Sequence, residues 1–282
     1  MNHQQTNGTT LFADINLARR LECLDAVGGV EYGRAHARLF PQSGATSIAV
    51  AGGHATYAGI ESPITQAFAL GLFGEVTAAE INELEEFYRS RRAPVNIEVC
   101  PLADASLVEL LSTRGYRPIE FSNVLVRALL PLDEAKASAG QHDDVRAREA
   151  MPDEEQLWAQ TVAHGFVETA DVSPPMRNIF LTAFHTAGTH CFVAEQNDTI
   201  IGGGSLSIRD RIAALAGAST LPDYRKRGAH GALLDYRLRF AARCGCELAT
   251  IMTLPGSASQ RNAGRHGFQV AYTRTKWLRE WA

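Results

Sequence analysis

No stretch of this chain stays apolar for the roughly 18 residues that a membrane span requires. Its longest apolar runs, 67–73 and 212–218, end far short of that, so no membrane partner is expected. Charge of one sign is also missing. Lysine plus arginine number 27 against 31 acidic residues, a net charge of -4, which excludes a broad attraction to polyanions, and nucleic acid is not expected as a partner. The first ten residues have neither a basic start nor an apolar block, so nothing there resembles a secretion signal, and the expected compartment is the cytoplasm. Cysteine is scarce: five residues cannot all pair, and none lies in a C-x-x-C arrangement. Cys23, Cys100, Cys191, Cys244 and Cys246 read as reduced thiols, and no metal is expected.

What remains is an ordinary globular balance, 45% apolar and 21% charged, enough to bury a core. At roughly 150 residues per domain, 282 residues suggest two domains. A small, polar, aperiodic stretch from Asp133 to Asp144 supplies the boundary. The expected division is a domain over 1–131, a linker over 132–144 and a second domain over 145–282.

Within the first part, Thr77-Ala-Ala-Glu80 is a capping box opening a helix with Ile81, Leu84, Phe87 and Tyr88 at helical spacing. A strand at 95–100, a helix capped by Asp104 and stopped by Gly115, and a strand at 120–127 follow. The second part repeats that order with a helix over 231–243, a strand over 248–253, a helix over 257–265, Gly267 and a strand over 270–277. Gly115-Tyr116 and Gly267-Phe268 hold equivalent places, which suggests a diverged duplication. Ahead of the second copy's long helix, apolar runs at 191–194, 200–208 and 213–218 are separated by Asn197-Asp198 and Arg209-Asp210, the pattern of an antiparallel meander.

Chemistry is most visible in Leu221-Pro-Asp-Tyr-Arg225-Lys-Arg-Gly228-Ala-His-Gly231-Ala-Leu-Leu234. A strand runs into a turn rich in glycine and cations, and the turn opens a helix. The free N–H groups of a first helical turn carry the positive end of the helix dipole and suit a phosphate or pyrophosphate. Gly228 and Gly231 allow close approach, and Arg225, Lys226 and Arg227 add charge. The alternative is a solvated basic turn that only caps the helix.

This segment resembles the acyl-CoA-binding motif of the GNAT superfamily of N-acetyltransferases, Arg/Gln-x-x-Gly-x-Gly/Ala after a Pro-Glu-Tyr type lead-in. Pro222-Asp223-Tyr224 matches the lead-in; Arg225, Gly228 and Ala232-Leu233-Leu234 match the loop and helix; His230 replaces the last small residue. The strand, short helix and Gly267-Phe268 that follow are similar to the family's closing elements. The resemblance implies an α+β (mixed α/β) fold of two tandem GNAT-like domains, each a mostly antiparallel sheet flanked by helices. The first is degenerate, since no Arg-x-x-Gly-x-Gly loop occurs between Ser47 and Leu72.

It further implies acetyl-CoA or another acyl-CoA as cosubstrate and a small-molecule or peptide amine as acceptor, with direct transfer in a ternary complex. CoA is expected on Arg225, Lys226, Arg227, Gly228, Ala229, His230, Gly231 and Ala232, with Thr220, Leu221, Ser257 and Asn262 nearby. The family's oxyanion donor, a backbone N–H, maps to Thr220 or Leu221. Its acid, a tyrosine four residues before the Gly-Phe glycine, is here Ala263. A thiol with a pKa near about 8.5 leaves without an obligate acid. Glu168, Ser259 and Tyr272 are candidate catalytic groups, and Ser257, Asn262, Thr253 and Asp171 are further polar candidates, each of which capping, exposure or core bonding explains as well. The missing tyrosine keeps two alternatives open: a protein that binds acyl-CoA without transfer, and a decarboxylase of a malonyl-type thioester.

Overall fold

The computed structural model describes residues 12–60, 62–129, 144–167 and 171–281. The chain opens with α1 (Ile15–Leu39), which Asp14 starts by accepting from the Leu17 N–H. Strands β1 (Thr46–Val50), β2 (Gly53–Tyr57) and β3 (Gln66–Phe68) follow, then α2 (Ala78–Arg89), β4 (Val95–Val99), α3 (Ala105–Thr113) and β5 (Arg117–Ala128). After residue 143 come β6 (Val145–Glu149), α4 (Glu155–Phe166), α5 (Pro174–Phe184), the meander β7 (Thr189–Gln196), β8 (Thr199–Arg209) and β9 (Ile212–Thr220), α6 (Ala229–Arg243), β10 (Leu248–Thr253), α7 (Ala258–Arg265) and β11 (Gln269–Arg279).

Local chemistry sets most boundaries. The Thr77 hydroxyl accepts from the Glu80 N–H while the Glu80 carboxylate accepts from the Thr77 N–H at 2.8 Å, the reciprocal capping box at the start of α2. Ile81, Leu84, Phe87 and Tyr88 are buried along that helix. Asn197 and Asp198 take left-handed angles of φ 50° and 60° between β7 and β8. The next turn is Asp210-Arg211, at 47° and 58°, one residue later than expected. Leu221 lies ahead of α6 as the N-cap of a short 3-10 turn, Pro222–Tyr224.

Among the described residues, eleven strands join one sheet in the order β1-β2-β3-β4-β11-β5-β10-β9-β8-β7-β6. Every neighbouring pair is antiparallel except β3 with β4 and β9 with β10. Each half surrenders its final strand to the other: β11 lies between β4 and β5, and β5 lies between β11 and β10. The fold is therefore mixed α/β, with helices on both faces of a mostly antiparallel sheet.

Alternation along β5 separates the two layers. Leu125 packs with α6 and α7, whereas Val124 and Val126 pack under α1. Beneath α1, Arg274 of β11 pairs with Glu22 at 3.3 Å and Asp25 at 2.7 Å, all drawn from opposite ends of the chain. The buried face of α1 was not anticipated from the sequence, nor were β1 to β3. Small residues, Ala18, Ala26, Gly29, Gly33 and Ala35, make up much of that face. They let the helix lie close on the sheet but leave little apolar contrast to read.

Candidate functional site

β9 and β10 run parallel and stay paired only as far as Leu215 opposite Ile251. Beyond that point β9 continues to Thr220 on β8 alone, so the two strands part and open a gap in the sheet. A register shift between Gly203 and Ser205 of β8 accompanies the divergence. Arg237 of α6 sits behind this bulge, fully buried, donating to the Ser205 carbonyl at 3.0 Å and the Ala216 carbonyl at 3.2 Å. A Cβ on Gly204 would stand 3.0 Å from the Arg237 Nη1, so the guanidinium needs glycine there. Burial lowers the Arg237 pKa to about 10, which leaves it charged at neutral pH.

At the end of β9 the chain turns into α6 through Gly228, whose φ of +91° is left-handed, and Lys226 at φ 65° shares that geometry. No side chain caps α6. Ala232 is the first residue to bond back, to the Gly228 carbonyl at 3.0 Å, so the N–H groups of the first turn face outward. A cleft of about 640 Å³ opens over them. The turn itself is braced, because the Arg225 guanidinium donates to the Gly165 carbonyl of α4 at 3.1 Å and Arg227 lies over the Tyr224 ring at 5.1 Å. His230 is held uncharged, its pKa pushed down to about 4 chiefly by burial and then by Arg237 and His266. An uncapped helix N-terminus with cations at its mouth presents positive potential to the cleft.

The sequence of residues 154–268 matches the acetyltransferase (GNAT) family. This segment is a GNAT acetyltransferase domain. The whole chain is similar in fold to a GCN5-related N-acetyltransferase from Kribbella flavida, at 19% identity and a TM-score of 0.61, over 90% of this chain and 97% of that one. It is also similar to a tandem GNAT protein from the clavulanic acid biosynthesis pathway, at 15% identity and 0.59 over 96% and 97%. A putative acetyltransferase from Novosphingobium aromaticivorans is similar at 16% and 0.57 over 95% and 100%. No curated protein matches the chain.

In the GNAT domain, Thr220, Arg225, Lys226, Gly228, Ala229, His230, Gly231 and Asn262 line the cleft together. Leu221, Arg227, Ala232 and Ser257 are not on its wall, and Ser257 instead caps α7 by accepting from the Gln260 N–H at 3.1 Å. The Asn262 Nδ2 is buried without a partner. Gly165, Tyr224, Asp235, Arg265 and His266 also line the cleft and were not assigned to CoA from sequence. Arg265 and His266 follow Asn262 by three and four residues, and that helical spacing was the available signal.

The two candidate oxyanion donors differ. The Leu221 N–H already donates to the Ile201 carbonyl at 2.8 Å, and Thr220 stands opposite Gly202. In an antiparallel ladder that pattern turns the Thr220 N–H away from β8, toward the gap. Among the catalytic candidates, Tyr272 is buried under α1, where its hydroxyl donates to the Glu22 carboxylate at 2.7 Å. Ser259 is on α7 and does not line the cleft. Glu168 lies outside the described residues, and Asp171 is exposed. Ala263, where the family often has tyrosine, is 1% exposed in the core beside Phe268. Among the described residues no group of three or more His, Cys, Asp or Glu side chains could hold a metal ion, and no helix is long and apolar enough to cross a membrane.

Proposed function

We propose that the protein is an acyl-CoA-dependent N-acyltransferase with acetyl-CoA as donor and a small-molecule or peptide amine as acceptor. The observation that carries this reading is the uncapped, left-handed entry to α6 at the mouth of the gap between β9 and β10. An acyl-CoA fits it: the Gly228 backbone and the free N–H groups of Ala229, His230 and Gly231 suit the pyrophosphate, and no atom lies within 4 Å of a Cβ built on Gly231. Arg225, Lys226 and Arg265 add positive charge at the same wall. Asn262 Nδ2 supplies a buried donor still in need of an acceptor.

When bound, an acyl-CoA supplies an activated thioester carbonyl. The Thr220 N–H, turned into the gap, is the donor we assign to the developing oxyanion. Arg237 holds the bulge that sets where this edge of β9 points. Since Ala263 offers no hydroxyl, the reading includes no protein acid for the thiolate, whose ordinary pKa of about 8.5 permits departure near neutral pH. We treat residues 1–131 and 145–282 as tandem units, the second holding CoA and the first closing the acceptor side.

The same alanine favours a second reading, binding of acyl-CoA without transfer. Incubation with acetyl-, propionyl- and malonyl-CoA and a pool of amines, following free thiol and carbon dioxide together, separates them. Thiol release that requires an amine is the expected result. Carbon dioxide release without an amine indicates decarboxylation, and neither product indicates binding alone.

A further inference from the structure

A second cavity of about 630 Å³ lies apart from the CoA cleft, where α1 of the first half meets α5 of the second. One wall is a stripe of rings along α1 and its C-cap, Phe40. Tyr32, His36 and Phe40 recur every four residues, the first two stacked at 6.1 Å and 11°, the second two tilted at 4.9 Å and 48°. Facing it, α5 presents Pro175, Asn178 and Ile179, and Tyr57 and Ser62 close the side. The two helices are locked in register by the Tyr32 hydroxyl, which donates to the Ile179 carbonyl at 3.2 Å.

Hydrogen bonding fixes the chemistry of this wall. The Thr182 hydroxyl gives its one proton to the Asn178 carbonyl at 2.8 Å, so at 3.0 Å from the His36 Nδ1 it can only accept. His36 therefore carries its proton on Nδ1 and presents Nε2 as an acceptor, and burial lowers its pKa, which keeps the ring neutral. The cavity opens to solvent, and its volume falls within the range of ligand sites. Rings on one side, with amide and hydroxyl groups around them, match a flat molecule bearing N–H or O–H groups.

We propose that the cavity between α1 and α5 is a binding site for an aromatic small molecule with amide or hydroxyl donors. The site does not depend on acyl transfer. Its ligand is either the body of the acceptor or a separate effector, and the same chemistry serves both.

The test uses the full-length protein and two probes that share one ring: N-acetyltyrosinamide, neutral, and tyramine, cationic. Binding is followed by calorimetry and ligand-observed NMR on wild type, on Asn178→Trp, which fills the cavity from α5, and on Gln42→Trp, which fills it from the other side. The expected result is binding of the neutral probe and about tenfold loss in either tryptophan variant. Acetyl-CoA affinity should stay unchanged in the variants, which also shows that they fold. Acetylation of bound tyramine would make the ligand the acceptor, and binding without acetylation would make it an effector; both support the site. No binding of the neutral probe at millimolar concentration, or equal binding in both variants, would overturn it, whatever the outcome of the acyl-CoA experiment.

Discussion

At φ +91° Gly228 occupies a backbone region that an L side chain resists, and it does so where the α6 N–H groups must meet an anion. Gly228→Ala isolates the strain, about 1–2 kcal/mol. Gly228→Asp adds a carboxylate against the pyrophosphate, and acetyl-CoA affinity measured by calorimetry should fall at least about another tenfold relative to the alanine variant. Equal affinity in wild type and the aspartate variant would remove the site.

Glu22 permits a different test at the same scale. Burial raises its pKa from 4.5 to about 7 against the opposing pull of Arg274. The folded state then holds this proton more tightly than the unfolded state, so the Glu22 contribution is greatest below pH 4.5 and declines as pH rises through 7. Stability of wild type relative to Glu22→Gln, followed by urea unfolding, should fall by about 3 kcal/mol over that window. A constant difference would show that the carboxyl is ionised in the fold throughout. Single residues such as Gly228 and Arg225 were legible because their chemistry is local. Glu22 was not, since the partners that define it, Tyr272 and Arg274, are some 250 positions away.

Helices α2 and α6 begin at comparable places in the two halves and treat their N-termini in opposite ways. In α2 the Glu80 carboxylate and the Thr77 hydroxyl satisfy the first donors, and those backbone bonds hold the Glu80 pKa below its usual value. In α6 no side chain among the described residues does so. A helix start already occupied by its own carboxylate has no capacity for a pyrophosphate, so calorimetry should find one acetyl-CoA per chain. Thr77→Ala should cost about 1 kcal/mol in stability and leave that stoichiometry unchanged. Two equivalents would mean that the first half binds CoA by other means. The capping box, the meander and every element after β9 were readable because their signals lie within a few residues of one another. β1 to β3 are short and α1 packs through alanine and glycine, so their signals disappear into composition.

For the molecule as a whole, the exchanged strands β5 and β11 make the halves interdependent. β10 contributes one edge of the gap, and β5 is its antiparallel neighbour through six residue pairs from Leu248 to Thr253. A fragment beginning at residue 145 lacks that neighbour and should neither unfold cooperatively nor bind acetyl-CoA. Mixed with a fragment of residues 1–131, it should recover both, read by thermal unfolding and calorimetry. Full affinity in the isolated second fragment would show that the exchange contributes nothing to the site. The polar stretch at 133–144 reads as a change in composition, and residues 133–143 lie outside the described residues. It carried no information about pairing, which follows from strand order rather than from any local pattern.

The position of β11 also constrains how the chain is made. It is synthesised after every other described element, yet it fills the slot between β4 and β5 in the half that emerged first. Until those residues arrive, the nascent first half has two strand edges exposed in its interior, the surfaces most prone to pair with another chain. Closure of the first half and completion of the second are thus one late event, so a nascent chain interrupted before Gln269 would leave both halves open at once.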